Sequence, residues 1–201
     1  ADCPAGLVVQ SLSTMDAEKA QQCWGDMTEA DPLVALNAGL LADGLFVTVS
    51  KYLVLDKPIH VLHIHSGQQD NQMAHIRHTI QVDRGAEVSV IEDYVSLSDG
   101  HYFNNVVTEV MLEGNARCQH YYWQRESNQA YHLHHTNYHL SRDSTLQRFE
   151  VITGGLVARA HGQVQLSAPG AEVHCYGCYC AASDQHQNID LVLDHDASNT
   201  R

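Results

Sequence analysis

A parallel β-helix, an all-β solenoid entered through a short helical segment, is the fold this sequence predicts. Three observations lead to it. From Leu45 onward the period is two, with Ile76, His78, Ile80 and Val82 alternating with Arg77, Thr79 and Gln81, the spacing of opposite strand faces. Short stretches of a small residue, a variable one and an apolar one recur as Gly85-Ala86-Glu87-Val88, Asn115-Ala116-Arg117-Cys118, Asp143-Ser144-Thr145-Leu146 and Gly170-Ala171-Glu172-Val173. Their small residues stand at 86, 116, 144 and 171, giving steps of 30, 28 and 27 residues. A second strand lies near each, at 103–112, 131–140, 156–166 and 188–195. Two strands per unit of this length suit coils that stack like strand on like strand. Without the repeat, the same run of short strands would predict a β-sandwich equally well.

Taken in order, residues 1–45 form the helical N-terminal segment and residues 46–201 the β-helix core. A weak helical pattern covers 14–23. A better one starts at Asp31-Pro32, since Asp accepts a bond from the free amides and Pro suits the first turn. Leu33, Leu36 and Leu40 then share a face, and Gly44 is placed to stop the helix. The chain begins at Ala1 and ends at Asn199-Thr200-Arg201 with no closing element, so the expectation is a fragment of a longer chain, truncated at its C-terminal end. An uncapped coil exposes unpaired amides and carbonyls, and self-association of such a fragment is expected.

With 201 residues, 44% of them hydrophobic, the chain can bury a core. Twenty-four acidic against eleven basic residues leave a net charge of -13, which repels nucleic-acid phosphates and anionic lipid surfaces. No stretch reaches the roughly 18 apolar residues of a membrane span, and the first thirty residues lack a signal-peptide pattern. The six cysteines follow no disulfide framework, pointing to a reducing cytoplasm.

Fifteen histidines include His60, His63 and His65, then His75 and His78, then His132, His134, His135 and His139. His63 and His65 share a strand face and are candidate metal ligands. A cupin-type metal-dependent enzyme would need a carboxylate a few residues later, where Gln68, Gln69 and Asp70 stand and no Glu follows His65 until Glu87. Cys175, Cys178 and Cys180, beside His174, are candidate ligands for zinc or an iron–sulfur centre. Alternation puts Cys178 and Cys180 on one face and Cys175 on the other unless the chain bends at Gly177; buried cysteine filling a core is the competing reading. No Gly-x-Ser-x-Gly elbow or phosphate loop is present, and Thr153-Gly154-Gly155 reads as a turn. A carbohydrate-active β-helix with paired carboxylates remains an architectural alternative.

Several strings carry a family resemblance: 57–63 (Lys-Pro-Ile-His-Val-Leu-His), 85–92 (Gly-Ala-Glu-Val-Ser-Val-Ile-Glu) and 102–109 (Tyr-Phe-Asn-Asn-Val-Val-Thr-Glu), continued by Gln124-Arg125-Glu126-Ser127, Gly154-Gly155 and Asp194-His195-Asp196-Ala197. Over roughly residues 40–201 the chain resembles the SufB/SufD family of iron–sulfur cluster assembly proteins. The runs at 74–78 and 92–97 have the character of SufD, and Ser96, Leu97, Ser98 and Asp99 stand where SufB-like chains tend to carry a cysteine. The resemblance implies a right-handed β-helix and a non-catalytic scaffold subunit. It implies as partners a SufB-like paralogue and a SufC-like ATPase, whose hydrolysis of ATP supplies the energy. No tightly bound cofactor is expected here, with iron or a transient cluster met in the full complex. Partner-facing residues are expected beyond Arg201.

Overall fold

The structure, a computed structural model, describes residues 3–15, 31–66 and 71–201. Twelve strands are present among them: β1 (Leu7–Ser11), β2 (Leu45–Val49), β3 (Ile59–His65), β4 (Gln72–Val82), β5 (Glu87–Ser96), β6 (Tyr102–Leu112), β7 (Arg117–Arg125), β8 (Tyr131–Leu140), β9 (Thr145–Ile152), β10 (Val157–Leu166), β11 (Glu172–Tyr179) and β12 (His186–His195). They form two sheets, one ordered β1-β2-β4-β6-β8-β10-β12 and the other β11-β9-β7-β5-β3. Every pairing is parallel except β1 with β2. From β2 onward consecutive strands therefore alternate between sheets, and each coil of the solenoid contributes one strand to each.

The register reproduces the step read from the sequence. Glu87 pairs with Arg117, Arg117 with Thr145 and Thr145 with Glu172. The small residues just before them, Ala86, Ala116, Ser144 and Ala171, are all essentially buried, because the chain turns the corner there with its side chain pointing into the coil. Gly85, Asn115, Asp143 and Gly170 precede them with positive φ, the conformation that Gly, Asn and Asp tolerate best. Their amides donate to the next coil, Gly85 to Gly114 and Asn115 to Arg142 for example. The hydrogen-bond ladder thus continues through the corner, which explains why the repeat is visible at these positions.

The N-terminal segment holds a strand as well as a helix. Leu7-Val8-Val9-Gln10-Ser11 pairs antiparallel with β2 and covers that edge, β-branched residues favouring the extended form. The helix α1 (Pro32–Gly39) starts as expected, with Asp31 Oδ1 accepting from the Leu33 amide at 2.7 Å. It ends at Gly39, not at Gly44, and the Leu33, Leu36, Leu40 stripe is not its buried face: Leu36 and Leu40 are 41% and 52% exposed, while Val34 and Asn37 are buried. The reason is what α1 lies against. Asn37 donates to the carbonyls of Ile76 at 2.9 Å and Asn105 at 2.8 Å, and Asn105 donates back to Leu33 O. The helix docks through polar bonds on the outer face of the seven-stranded sheet. Most of the segment expected as a helix at 14–23 lies outside the described residues.

Gly44 has a different role from the one its position suggests. A Cβ there would sit 1.5 Å from the Arg77 carbonyl oxygen, so only glycine lets the chain pass this close to β4. Gly44→Ala should cost about 3 kcal/mol by forcing backbone apart. Urea midpoints will check this, and an unchanged midpoint would contradict the close approach.

The lumen is divided. At the end near the Ala86 corner it is apolar, filled by Val47, Val49, Ile80, Val82, Val88, Val90, Val110, Leu112, Leu140 and Leu146. Toward the other end buried polar side chains take over. Among the described residues no helix is long and apolar enough to cross a membrane.

Candidate functional site

The polar half of the lumen follows from strand phase. Val88 and Val90 face inward on β5, so Glu92 and Tyr94 do too. The same alternation turns in His120, Tyr122 and Gln124 on β7, Arg148 and Glu150 on β9, Thr108 on β6 and His132, His134 and Tyr138 on β8; all of these are buried.

Glu92 is the hub. Its carboxylate accepts from Tyr94 OH at 2.6 Å and Thr108 Oγ1 at 3.1 Å, and His120 Nε2 lies at 2.9 Å. The other nitrogen of His120 is bonded to Tyr138 OH at 2.9 Å. Burial alone would raise the Glu92 pKa, but the bond to His120 and the fields of His120, His134 and His78 hold it well below the usual carboxylate range. Glu126 is a second such centre, accepting from Asn104 Nδ2 at 2.6 Å, Gln124 Nε2 at 3.1 Å and Tyr102 OH at 3.2 Å, with His132 Nδ1 at 2.6 Å. Its pKa is also lowered, burial being outweighed by His132 and the hydrogen bonds. Farther along, Arg148 Nη2 meets Glu150 Oε2 at 2.6 Å. Gly162 makes room for that guanidinium, since a Cβ there would lie 3.1 Å from it.

His63 closes the network at the edge strand β3. Its ring stacks on Tyr94 at 4.3 Å between centroids, and its Nε2 lies 3.2 Å from Nε2 of His78. The Leu45 amide donates to His78 Nδ1 at 3.0 Å. An amide can only donate, so in the neutral ring the His78 proton is on Nε2 and points at His63. The His63 pKa falls from 6.5 to about 4, chiefly through burial and then through His78. His78 and His134 are lowered too, again chiefly by burial.

The sequence candidates are distributed differently from their spacing. His63 and His65 do face the same way, but His65 stacks on Tyr102 at 3.6 Å and the two are not joined in a ligand set. Instead, His63, His78 and Glu92 place their ligand atoms within 4.8 Å of one another, and among the described residues they are the group of three able to hold a metal. Cys175 is partly buried and paired in register with Arg148, while Cys178 and Cys180 are exposed. These three cysteines are not brought together in such a group. Glu92, His120, Glu126 and the Arg148 and Glu150 pair were missed from sequence. The available signal was phase: Glu92, His120, Arg148 and Glu150 each sit at an even spacing from an inward valine, cysteine or leucine on their own strand, while Glu126 lies just past the end of β7.

A polar lumen on a parallel solenoid can be compared with known proteins. Residues 63–201 match the family described as "SUF system FeS cluster assembly, SufBD core domain". The chain is 28% identical over 172 residues to the iron-sulfur cluster assembly protein SufD of Escherichia coli, covering 85% of this chain and 41% of that protein. A SufBD family protein of Synechocystis sp. is 25% identical over 214 residues, covering 98% and 47%. One of Mycobacterium leprae is 28% identical over 149 residues, covering 74% and 36%. The chain therefore spans less than half the length of these relatives. Since the family match takes in β4 to β12 and nearly the whole buried network, the chain belongs to the SufBD core domain family of the SUF system of FeS cluster assembly.

Proposed function

We propose that this chain is the β-helical part of a SufD-like scaffold subunit, working in the cytoplasm with a SufB-like paralogue and a SufC-like ATPase to build iron–sulfur clusters. The observation that carries the reading is the family match running through consecutive coils of one stacked lumen. A scaffold of this kind works by presenting fixed side chains over a broad area, so little ordering entropy is lost when partners bind. The buried Glu92 and Glu126 centres tie neighbouring coils together and supply that rigidity. In this reading ATP hydrolysis is the partner's chemistry, and iron or a transient cluster is met in the assembled complex.

The test is co-purification. The full-length protein carrying an affinity tag should retain a SufB-like and a SufC-like partner together, and its deletion should lower the activity of iron–sulfur enzymes in the same cells. Recovery of the tagged protein alone, with those enzymes unaffected by the deletion, would end this reading.

A further inference from the structure

We infer that His63, His78 and Glu92 form a binding site for one borderline divalent transition-metal ion, of the Zn²⁺ or Fe²⁺ kind, built into the lumen beside the edge strand. The inference does not depend on the scaffold role. It revises the expectation that this region holds no tightly bound metal, and it replaces the pair His63 and His65 with ligands from three strands, β3, β4 and β5.

Geometry comes first. The two Nε2 atoms are 3.2 Å apart, and two nitrogens bound to one tetrahedral metal at 2.0–2.1 Å lie about 3.3 Å apart. The imidazoles already present their nitrogens at the separation an ion imposes. All three ligand atoms fall within 4.8 Å of one another, so with the imidazoles in place only the Glu92 carboxylate has to shift to close the set. Two imidazoles and a carboxylate with a position left open is a donor set suited to zinc or ferrous iron.

The surroundings of the carboxylate fit as well. Ligating carboxylates are oriented by outer hydrogen bonds, and Glu92 has them from Tyr94, Thr108 and His120, the last held in turn by Tyr138. Glu92 is 1% exposed, and an ionised carboxylate so deeply buried is stabilised by a cation. His63 is only partly buried, which leaves an entry at the β3 edge.

One bond stands against occupancy. His78 Nδ1 accepts from the Leu45 amide, and a histidine bound through Nε2 normally carries its proton on Nδ1. Metal binding must therefore move the His78 proton from Nε2 to Nδ1, with no net proton released, and free the Leu45 amide. The Leu45 amide then loses its acceptor, a cost that binding at this site has to exceed. The same bond supplies a signature: metal occupancy should be read at Leu45, the first residue of β2.

The experiment uses the untagged, full-length protein stripped of metal, titrated with Co²⁺ as a probe whose visible bands report four-coordination, and then challenged with Zn²⁺. The parent should bind one equivalent more than His63→Asn, with affinity at this site reduced at least about 100-fold in that variant and in Glu92→Gln. His65→Asn should bind like the parent. Amide exchange of the parent should show Leu45 protected without metal and faster with it, a readout that needs no variant to fold. Equal Co²⁺ binding by parent and His63→Asn, or a Leu45 amide indifferent to metal, would overturn the site.

Discussion

Glu92→Ala should destabilise the protein by about 4 kcal/mol or more at neutral pH, the largest effect expected of any lumen substitution. Three buried donors converge on this carboxylate, from β5, β6 and β7. Removing it leaves them without an acceptor, and each orphaned buried group costs about 1–3 kcal/mol. Water entering the new cavity would restore part of this, because the site is polar and has several partners to offer. Glu92→Gln keeps the volume and one acceptor oxygen but turns an amide NH2 toward donors, so about half the loss is expected. The contrast is Glu87, whose 3.7 Å contact with Arg117 joins two exposed side chains; Glu87→Ala should change stability by less than about 0.5 kcal/mol. Urea unfolding with a chelator present, to keep metal out of the comparison, will rank the three. A Glu92→Ala midpoint no lower than that of Glu87→Ala would mean that the carboxylate does not organise the lumen.

Acid should weaken the fold well before ordinary carboxylates titrate. His63 has a pKa of 6.5 when unfolded and about 4 when folded, because burial and the facing His78 oppose its charge. Between these values the unfolded chain binds a proton that the folded chain refuses, so stability is complete above pH 6.5 and is lost as the pH falls toward 4. The difference is worth about 3 kcal/mol for this ring. His78 and His134 act in the same direction, although facing rings share one penalty and their effects do not simply add. Glu92 and Glu126, both lowered, extend the loss below pH 4.5 as they protonate. Glu150 pulls the other way, since burial raises its pKa despite Arg148. Unfolding midpoints should fall steeply from pH 6.5 to 4, and His63→Asn should flatten that slope. A midpoint constant between pH 7 and 5 would refute the neutral, buried state of these rings.

Parts of the lumen were legible in the chain and parts were not, for reasons that particular residues show. The inward turn of His63, His132 and His134 follows from period-two alternation, a local property of any extended strand. That His63 meets His78 does not follow, although only fifteen positions separate them. They lie on strands of different sheets, and their contact depends on how closely those sheets approach each other. The cysteines illustrate the converse. Alternation placed Cys175 and Cys178 on opposite faces, and the structure leaves Cys175 partly buried and Cys178 exposed. On α1, the leucine stripe suggested an apolar dock, whereas Asn37 reaching two strand carbonyls decides which face is buried.

By itself, then, the sequence determined the solenoid, its steps of 30, 28 and 27 residues, the small residues that mark them and the face on which each strand side chain lies. These rest on backbone geometry that repeats along the chain. Only the tertiary structure decided which buried groups share hydrogen bonds across the lumen, with Glu92 as their centre and His63 and His78 facing each other beside it. The physical reason is that such contacts depend on the distance between the two sheets and on how each corner turns, and neither quantity is carried by the period of the pattern.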